Sequence, residues 1–207
     1  MQPVKIAFLT TLTLLSVFGC NQEEPTSVAP VKATTIRNLA ADPAQINPQT
    51  GQPVGATNKF TLFSLKDGVT VANSDSATNK WDIGFRATTL IINGGSIRSG
   101  RGGAFIHTGT FDELKTIPAG TTFATDESPA QLAIPTGSGK GWYNYANTLI
   151  TPIPGRVLLI RTGDGNYAKV EILSYYKDAP ATPTATSEGR YYTFRYVYQP
   201  DGSQNLN

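Results

Sequence analysis

Residues 81–93, Trp81-Asp82-Ile83-Gly84-Phe85-Arg86-Ala87-Thr88-Thr89-Leu90-Ile91-Ile92-Asn93, turn apolar and β-branched directly after a polar run, then stop in a glycine-rich segment, residues 94–103. Side chains of this kind fit a pleated, half-buried surface, and clustered glycines punctuate it. The pattern predicts one central strand entering a mobile, cationic loop that carries Arg98 and Arg101, followed by a second strand from Ala104. A plain core strand with a floppy turn has the same pattern, so a role for the loop needs other support.

The rest of the chain also reads as all-β. Fourteen prolines and twenty glycines interrupt helices. At 39% hydrophobic and 15% charged, the 207 residues hold enough apolar material for a core. Thr34-Thr35-Ile36 reads as a first edge strand, followed by a loop over residues 42–55. Phe60-Thr61-Leu62-Phe63-Ser64-Leu65 alternates, and Lys66-Asp67-Gly68 turns it back into Val69-Thr70-Val71, because glycine takes φ > 0 freely. Phe111 to Leu114 has the composition of a single helical turn, and residues 118–139 show no period. Such a long irregular connection is either functional or mobile.

Arg156-Val157-Leu158-Leu159-Ile160-Arg161-Thr162 is the clearest buried strand, reversed by Gly163-Asp164-Gly165-Asn166 into residues 167–176. In that return strand Lys169 and Glu171 are expected on a solvent face, opposite Val170 and Ile172. In the last strand Tyr192, Phe194, Tyr196 and Tyr198 share one face, and Tyr191, Thr193, Arg195 and Val197 the other. The polar tail, residues 200–207, is expected to fray.

Seventeen basic against fifteen acidic residues leave a net charge of +2. Arg98, Arg101 and Lys140 are too sparse for a phosphate track, so no nucleic-acid partner is expected. At the N-terminus, Lys5 precedes an uncharged apolar core over residues 6–18, which suits a secretory leader. Val17-Phe18-Gly19-Cys20 resembles a bacterial lipobox and contains the single cysteine of the chain, which has no partner for an internal disulfide. The expected organisation is a leader (1–19), a lipidated flexible tether beginning at Cys20 (20–35), one β domain (36–199) and the polar tail (200–207). Glu23 and Glu24 resemble the acidic export signal of Bacteroidetes lipoproteins, which implies an outer-membrane, cell-surface address with the lipid as the only membrane contact.

Several segments in series resemble the HmuY family of haem-binding lipoproteins. They are Asn79-Lys80-Trp81-Asp82-Ile83-Gly84-Phe85, Gly100-Arg101-Gly102-Gly103-Ala104, Gly141-Trp142, Arg156-Val157-Leu158-Leu159-Ile160-Arg161-Thr162-Gly163-Asp164-Gly165-Asn166-Tyr167-Ala168-Lys169-Val170, and Tyr192-Thr193-Phe194-Arg195-Tyr196-Val197-Tyr198. Their order and approximate spacing agree over residues 60–198. The resemblance implies antiparallel sheets in a right-hand-like arrangement. It also implies capture of haem or a related porphyrin outside the cell and delivery to a TonB-dependent outer-membrane receptor.

The family's iron chemistry is not carried over. The position matching the first axial histidine is Arg86, whose guanidinium offers no lone pair. Residues 126–139, matching the second ligand, contain no histidine, and the one methionine is Met1. Paired histidine or methionine ligation is therefore impossible within one chain. His107, the single histidine, is either an ordinary polar residue or a haem-iron ligand. Tyr143 or Tyr145 could supply a tyrosinate. Arg86 and Arg101 are either surface charge or partners of haem propionates.

Paired carboxylates for glycoside hydrolysis stay open in the sequence through Asp82, Asp112 and Glu113, although Asp82 fits better as a backbone acceptor at a strand start, and other catalytic patterns are lacking. No Gly-x-Ser-x-Gly elbow occurs, His107 has no clustered metal-ligating neighbour in sequence, and the glycine loop lacks a Gly-Lys-Ser/Thr ending. A binding protein is expected rather than an enzyme. The alternative to haem is another small ligand, or an interaction role, on the same scaffold.

Overall fold

The computed structural model describes Met1 and residues 31–50 and 52–207. The leader, the lipidation site Cys20 and the tether as far as residue 30 lie outside the described residues. The strands are β1 (Thr34–Ala40), β2 (Gln45–Ile46), β3 (Pro53–Gly55), β4 (Thr61–Ser64), β5 (Val69–Val71), β6 (Ile83–Arg86), β7 (Thr89–Ile92) and β8 (Gly103–Thr108). They continue with β9 (Tyr143–Ala146), β10 (Leu149–Pro152), β11 (Arg156–Arg161), β12 (Tyr167–Tyr176) and β13 (Gly189–Gln199). Each pairing between them is antiparallel. The expected all-β, antiparallel architecture is thus the observed one.

A five-stranded sheet, β1-β13-β12-β11-β8, packs face to face on a four-stranded sheet, β5-β4-β6-β7. The alternation of β13 explains the join. Tyr192, Phe194 and Tyr196 point inward and meet Phe63 and Phe85 of the smaller sheet, with Phe85 stacked on Phe194 at 5.3 Å and Phe63 edge-on to it at 5.4 Å. Burying each such ring contributes roughly 1.5–3 kcal/mol. The turn at Lys66-Asp67-Gly68 forms the expected β4–β5 hairpin, with Gly68 at φ +70°.

The far face of the large sheet is covered too. Phe111, Leu114, Ile117 and Leu206 close over Val157, Leu159 and Val197. This corrects the solvent face expected for Lys169, which is buried. Its ammonium donates to the carbonyls of Phe111 (2.8 Å) and Leu114 (2.7 Å) and lies 4.5 Å from the Phe111 ring centre. Burial pulls its pKa below the usual lysine value. The tail does not fray: Leu206 is buried, its amide bonds Lys115, and the Gln204 carbonyl accepts from Ile117.

Two further expectations change. Residues 81–93 are not one strand but a tight hairpin, β6–β7, turning at Ala87 (φ +47°) without glycine, proline or asparagine. The carbonyls of Ala87 and Thr88 accept from Tyr192 Oη (2.7 Å) and Trp142 Nε1 (3.0 Å), so core donors hold a turn the local sequence does not announce. The glycine loop is packed rather than mobile. It wraps Asn93, whose side chain bonds Thr78, Trp81 and Gly100, and a Cβ on Gly94 would stand 1.9 Å from the Gly102 carbonyl. Two small ribbons, β2–β3 in the expected loop 42–55 and β9–β10 after Trp142, complete the fold.

Candidate functional site

On the smaller sheet, Ile83, Phe85, Leu90 and Ile92 face the core, which turns the alternate residues outward. The outer rows are Val71–Leu62–Gly84–Ile91 and Arg86–Thr89, with Phe60 just before β4. Gly84 keeps this face low, since a Cβ there would meet Ile91 Cγ1 at 2.7 Å. Trp81, Leu62 and Ile91 form an outer apolar cluster with Phe60 and Leu132 against it.

A cleft of about 280 Å³ opens on this face. Phe60, Arg86, Thr89 and Ile91 make its floor, Ile97 and Arg98 of the glycine loop one wall, and Pro129 and Leu132 of the irregular segment the other. Arg86 lies 4.3 Å over the Phe60 ring and donates to the Asn58 carbonyl at 3.1 Å, which leaves most of its N–H groups free. Arg98 lies 5.9 Å over the Trp81 ring; its Nε is buried without a hydrogen bond, 3.6 Å from Asp126 Oδ2.

Asp126 organises all three parts. Its buried carboxylate accepts from Ile92 of the floor (3.1 Å) and Ala133 of the irregular segment (2.9 Å), while its amide bonds Gly94 of the glycine loop. Burial pushes its carboxyl above the usual range, opposed by the two amides and by Arg98. A second buried acid, Asp82, bonds backbone as its place at a strand start predicts. It accepts from Leu65 (2.7 Å) and Gly163 (2.9 Å), and burial pushes it up to about 6.

Of the residues singled out in sequence, Arg86 lies in the cleft, in one lining with Pro129 and Leu132 of the irregular segment. Arg101, three residues beyond Arg98, lines a different cavity with Arg161. His107 pairs with Val157 on the far face of the large sheet, so both sheets stand between it and the cleft. Tyr143 is buried beside Trp142 in the core, and Tyr145 is exposed on β9. Sequence reading passed over Arg98, Phe60, Leu132 and Asp126. The one available signal was Ile97-Arg98, the single apolar–cationic pair inside a glycine run. A larger cleft of about 470 Å³ is lined by Asp67, Asp75, Asp82 and Asp164 against Lys66 and Lys80, an acidic excess that does not suit a ligand carrying carboxylates.

No family model matches the sequence, and no curated protein aligns with it significantly. Among solved structures, a protein of Bacteroides vulgatus described as a candidate HmuY-like haem-binding protein superposes with a TM-score of 0.51 at 17% identity, covering 82% of this chain and 93% of that one. The fold is HmuY-like. The apo HmuY analogue of Tannerella forsythia aligns over 83% of this chain and 96% of its own, at 17% identity and a TM-score of 0.44.

Haem can be tested against this cleft of the HmuY-like fold residue by residue. No histidine, methionine, cysteine or tyrosine lines it, and no group of three metal-ligating side chains occurs among the described residues. Iron ligation therefore does not fit. Contact with an apolar face and with carboxylates does, through Phe60, Ile91, Ile97 and Leu132 on one side and Arg86 and Arg98 on the other.

Proposed function

We propose that the chain is a binding protein, tethered to the outer face of the outer membrane through Cys20, that takes up haem or a related porphyrin in the Arg86–Arg98 cleft and yields it to a TonB-dependent receptor. The observation that carries this reading is the composition of the cleft: an apolar floor and walls, two arginines, and no iron ligand. The ligand is gripped by its flat face and its acid groups rather than by its metal. At about 280 Å³ the cleft falls just below the usual range for small-molecule sites, so it encloses one edge of the macrocycle and leaves the opposite edge open for transfer.

Titration of the purified protein with haemin and with metal-free protoporphyrin, followed by absorbance, tests the proposal. Both should bind, with no spectrum of a six-coordinate bis-ligated iron. Arg86→Gln and Arg98→Gln should each weaken binding by about tenfold, the loss of one charge-assisted contact, and His107→Ala should change nothing. Failure of both porphyrins to bind, or binding that survives the double arginine variant, refutes it. For the tether, Cys20→Ser should abolish partition into Triton X-114; a variant that still enters the detergent phase rules out lipidation at that residue.

A further inference from the structure

The glycine loop serves a second cavity on its other flank. We infer that this cavity, about 340 Å³ and lined by Gly95, Arg101, Gly102, Thr125, Arg161 and Gly165, binds a phosphate-type dianion. Two guanidinium groups stand in one lining that has no acidic side chain. Neither arginine enters an ion pair among the described residues, where Arg98, Arg195, Lys80 and Lys177 take the acids. The acid nearest in sequence to the cavity, Asp164, is occupied. Its Oδ1 accepts from the Thr162 hydroxyl (2.6 Å), its Oδ2 from the Asn166 side chain (3.1 Å), and only its backbone carbonyl meets Arg101. Glu127 spends its carboxylate on the hydroxyl of Thr125.

Both cations are held in place by backbone. Arg161 Nε donates to the Arg101 carbonyl at 2.8 Å, and Arg101 Nη2 to the Asp164 carbonyl. Glycines make the room: a Cβ on Gly165 would stand 2.9 Å from Arg101 Nη2, and one on Gly103 3.4 Å from Arg161 Nη2. Each guanidinium has five N–H donors, so most remain free after these anchors. Two like charges in one lining repel each other, and more strongly beside protein than in water. A bound anion reverses the sign of that interaction. A phosphate monoester carries about −1.5 to −2 near neutral pH and three acceptor oxygens, which matches two arginine forks; a monocarboxylate neutralises half the charge. The phosphate could be soluble or a lipid headgroup at the membrane.

Calorimetric titration of the purified protein at low ionic strength with inorganic phosphate, and separately with acetate, reads the site. Phosphate should bind at least about tenfold more tightly than acetate. The Arg101→Gln/Arg161→Gln double variant should lose about tenfold or more in phosphate affinity while haemin binding is unchanged. If that variant does not fold, Arg101→Lys/Arg161→Lys keeps the charge without the forks and should bind several-fold more weakly. Sedimentation with phosphatidylcholine vesicles, with and without phosphatidic acid, separates the sources. Retention on phosphatidic acid vesicles assigns the ligand to a headgroup, and phosphate binding without retention assigns it to a soluble phosphate. Absence of binding in both arms, equal binding of acetate, or full affinity in the arginine variants overturns the inference.

Discussion

Arg98 and Asp126 approach to 3.6 Å behind the cleft, and this one pair joins one wall of the cleft to a carboxylate that fastens the floor and the opposite wall. The guanidinium Nε makes no hydrogen bond, whereas each carboxylate oxygen accepts from one backbone amide. The cleft is therefore ordered from behind by an acid that does not line it.

Asp126→Asn offers one acceptor oxygen where two amides now bond. One of the amides of Ile92 and Ala133 is left facing an NH₂ group, at a cost of about 1–3 kcal/mol for a buried unsatisfied donor. Chemical denaturation should show that loss, and porphyrin titration should show weaker binding although the residue lines no part of the cleft. Wild-type stability and affinity in the variant would remove Asp126 from its organising role.

Asp82 sets a pH dependence with a definite sign. Its folded pKa is raised from 3.8 to about 6, so between those values the native state holds a proton that the unfolded state has lost. The stability it contributes is present below the unfolded value and disappears as pH rises through the folded one. A shift of this size amounts to roughly 2–3 kcal/mol. Denaturation curves collected from pH 4 to 7 should lose that slope in Asp82→Asn; parallel wild-type and variant profiles would contradict the assignment.

Gly94→Ala should be severe for a loop substitution. A Cβ would fall 1.9 Å from the Gly102 carbonyl, which belongs to backbone and cannot rotate away. Overpacking of this sort costs about 3 kcal/mol or more. A melting temperature within two or three degrees of wild type, as a free loop would give, contradicts the packed arrangement.

Lys169→Met keeps the stem and removes the ammonium. The carbonyls of Phe111 and Leu114 lose their donor, at about 1–3 kcal/mol each if they stay buried. The turn that follows Gly109 should then open first. Limited proteolysis should cut near residues 110–117 in the variant and spare wild type; equal resistance would show that the ammonium is dispensable.

The fold was legible where a local pattern and the tertiary environment agree. The alternation of Tyr192, Phe194 and Tyr196 and the run Val157-Leu158-Leu159-Ile160 announce strands, and both are buried as written. Lys169 was misplaced because alternation marks two faces without saying what covers the second. That cover comes from Phe111, Leu114 and a C-terminal tail whose composition is polar.

Sequence alone excludes paired histidine or paired methionine ligation of haem iron within the chain, because one histidine and one methionine make a pair of neither. It also dictates an antiparallel β-protein, through short alternating runs broken by glycine and proline. Tertiary structure decides the turn at Ala87 and Thr88, since its hydrogen-bond donors, Tyr192 and Trp142, lie 105 and 54 residues away. It also decides that Arg98 and Arg101 line separate cavities. Three residues apart in one loop, they are sorted by what the glycines pack against, and close packing of backbone on backbone has no periodic trace in a sequence.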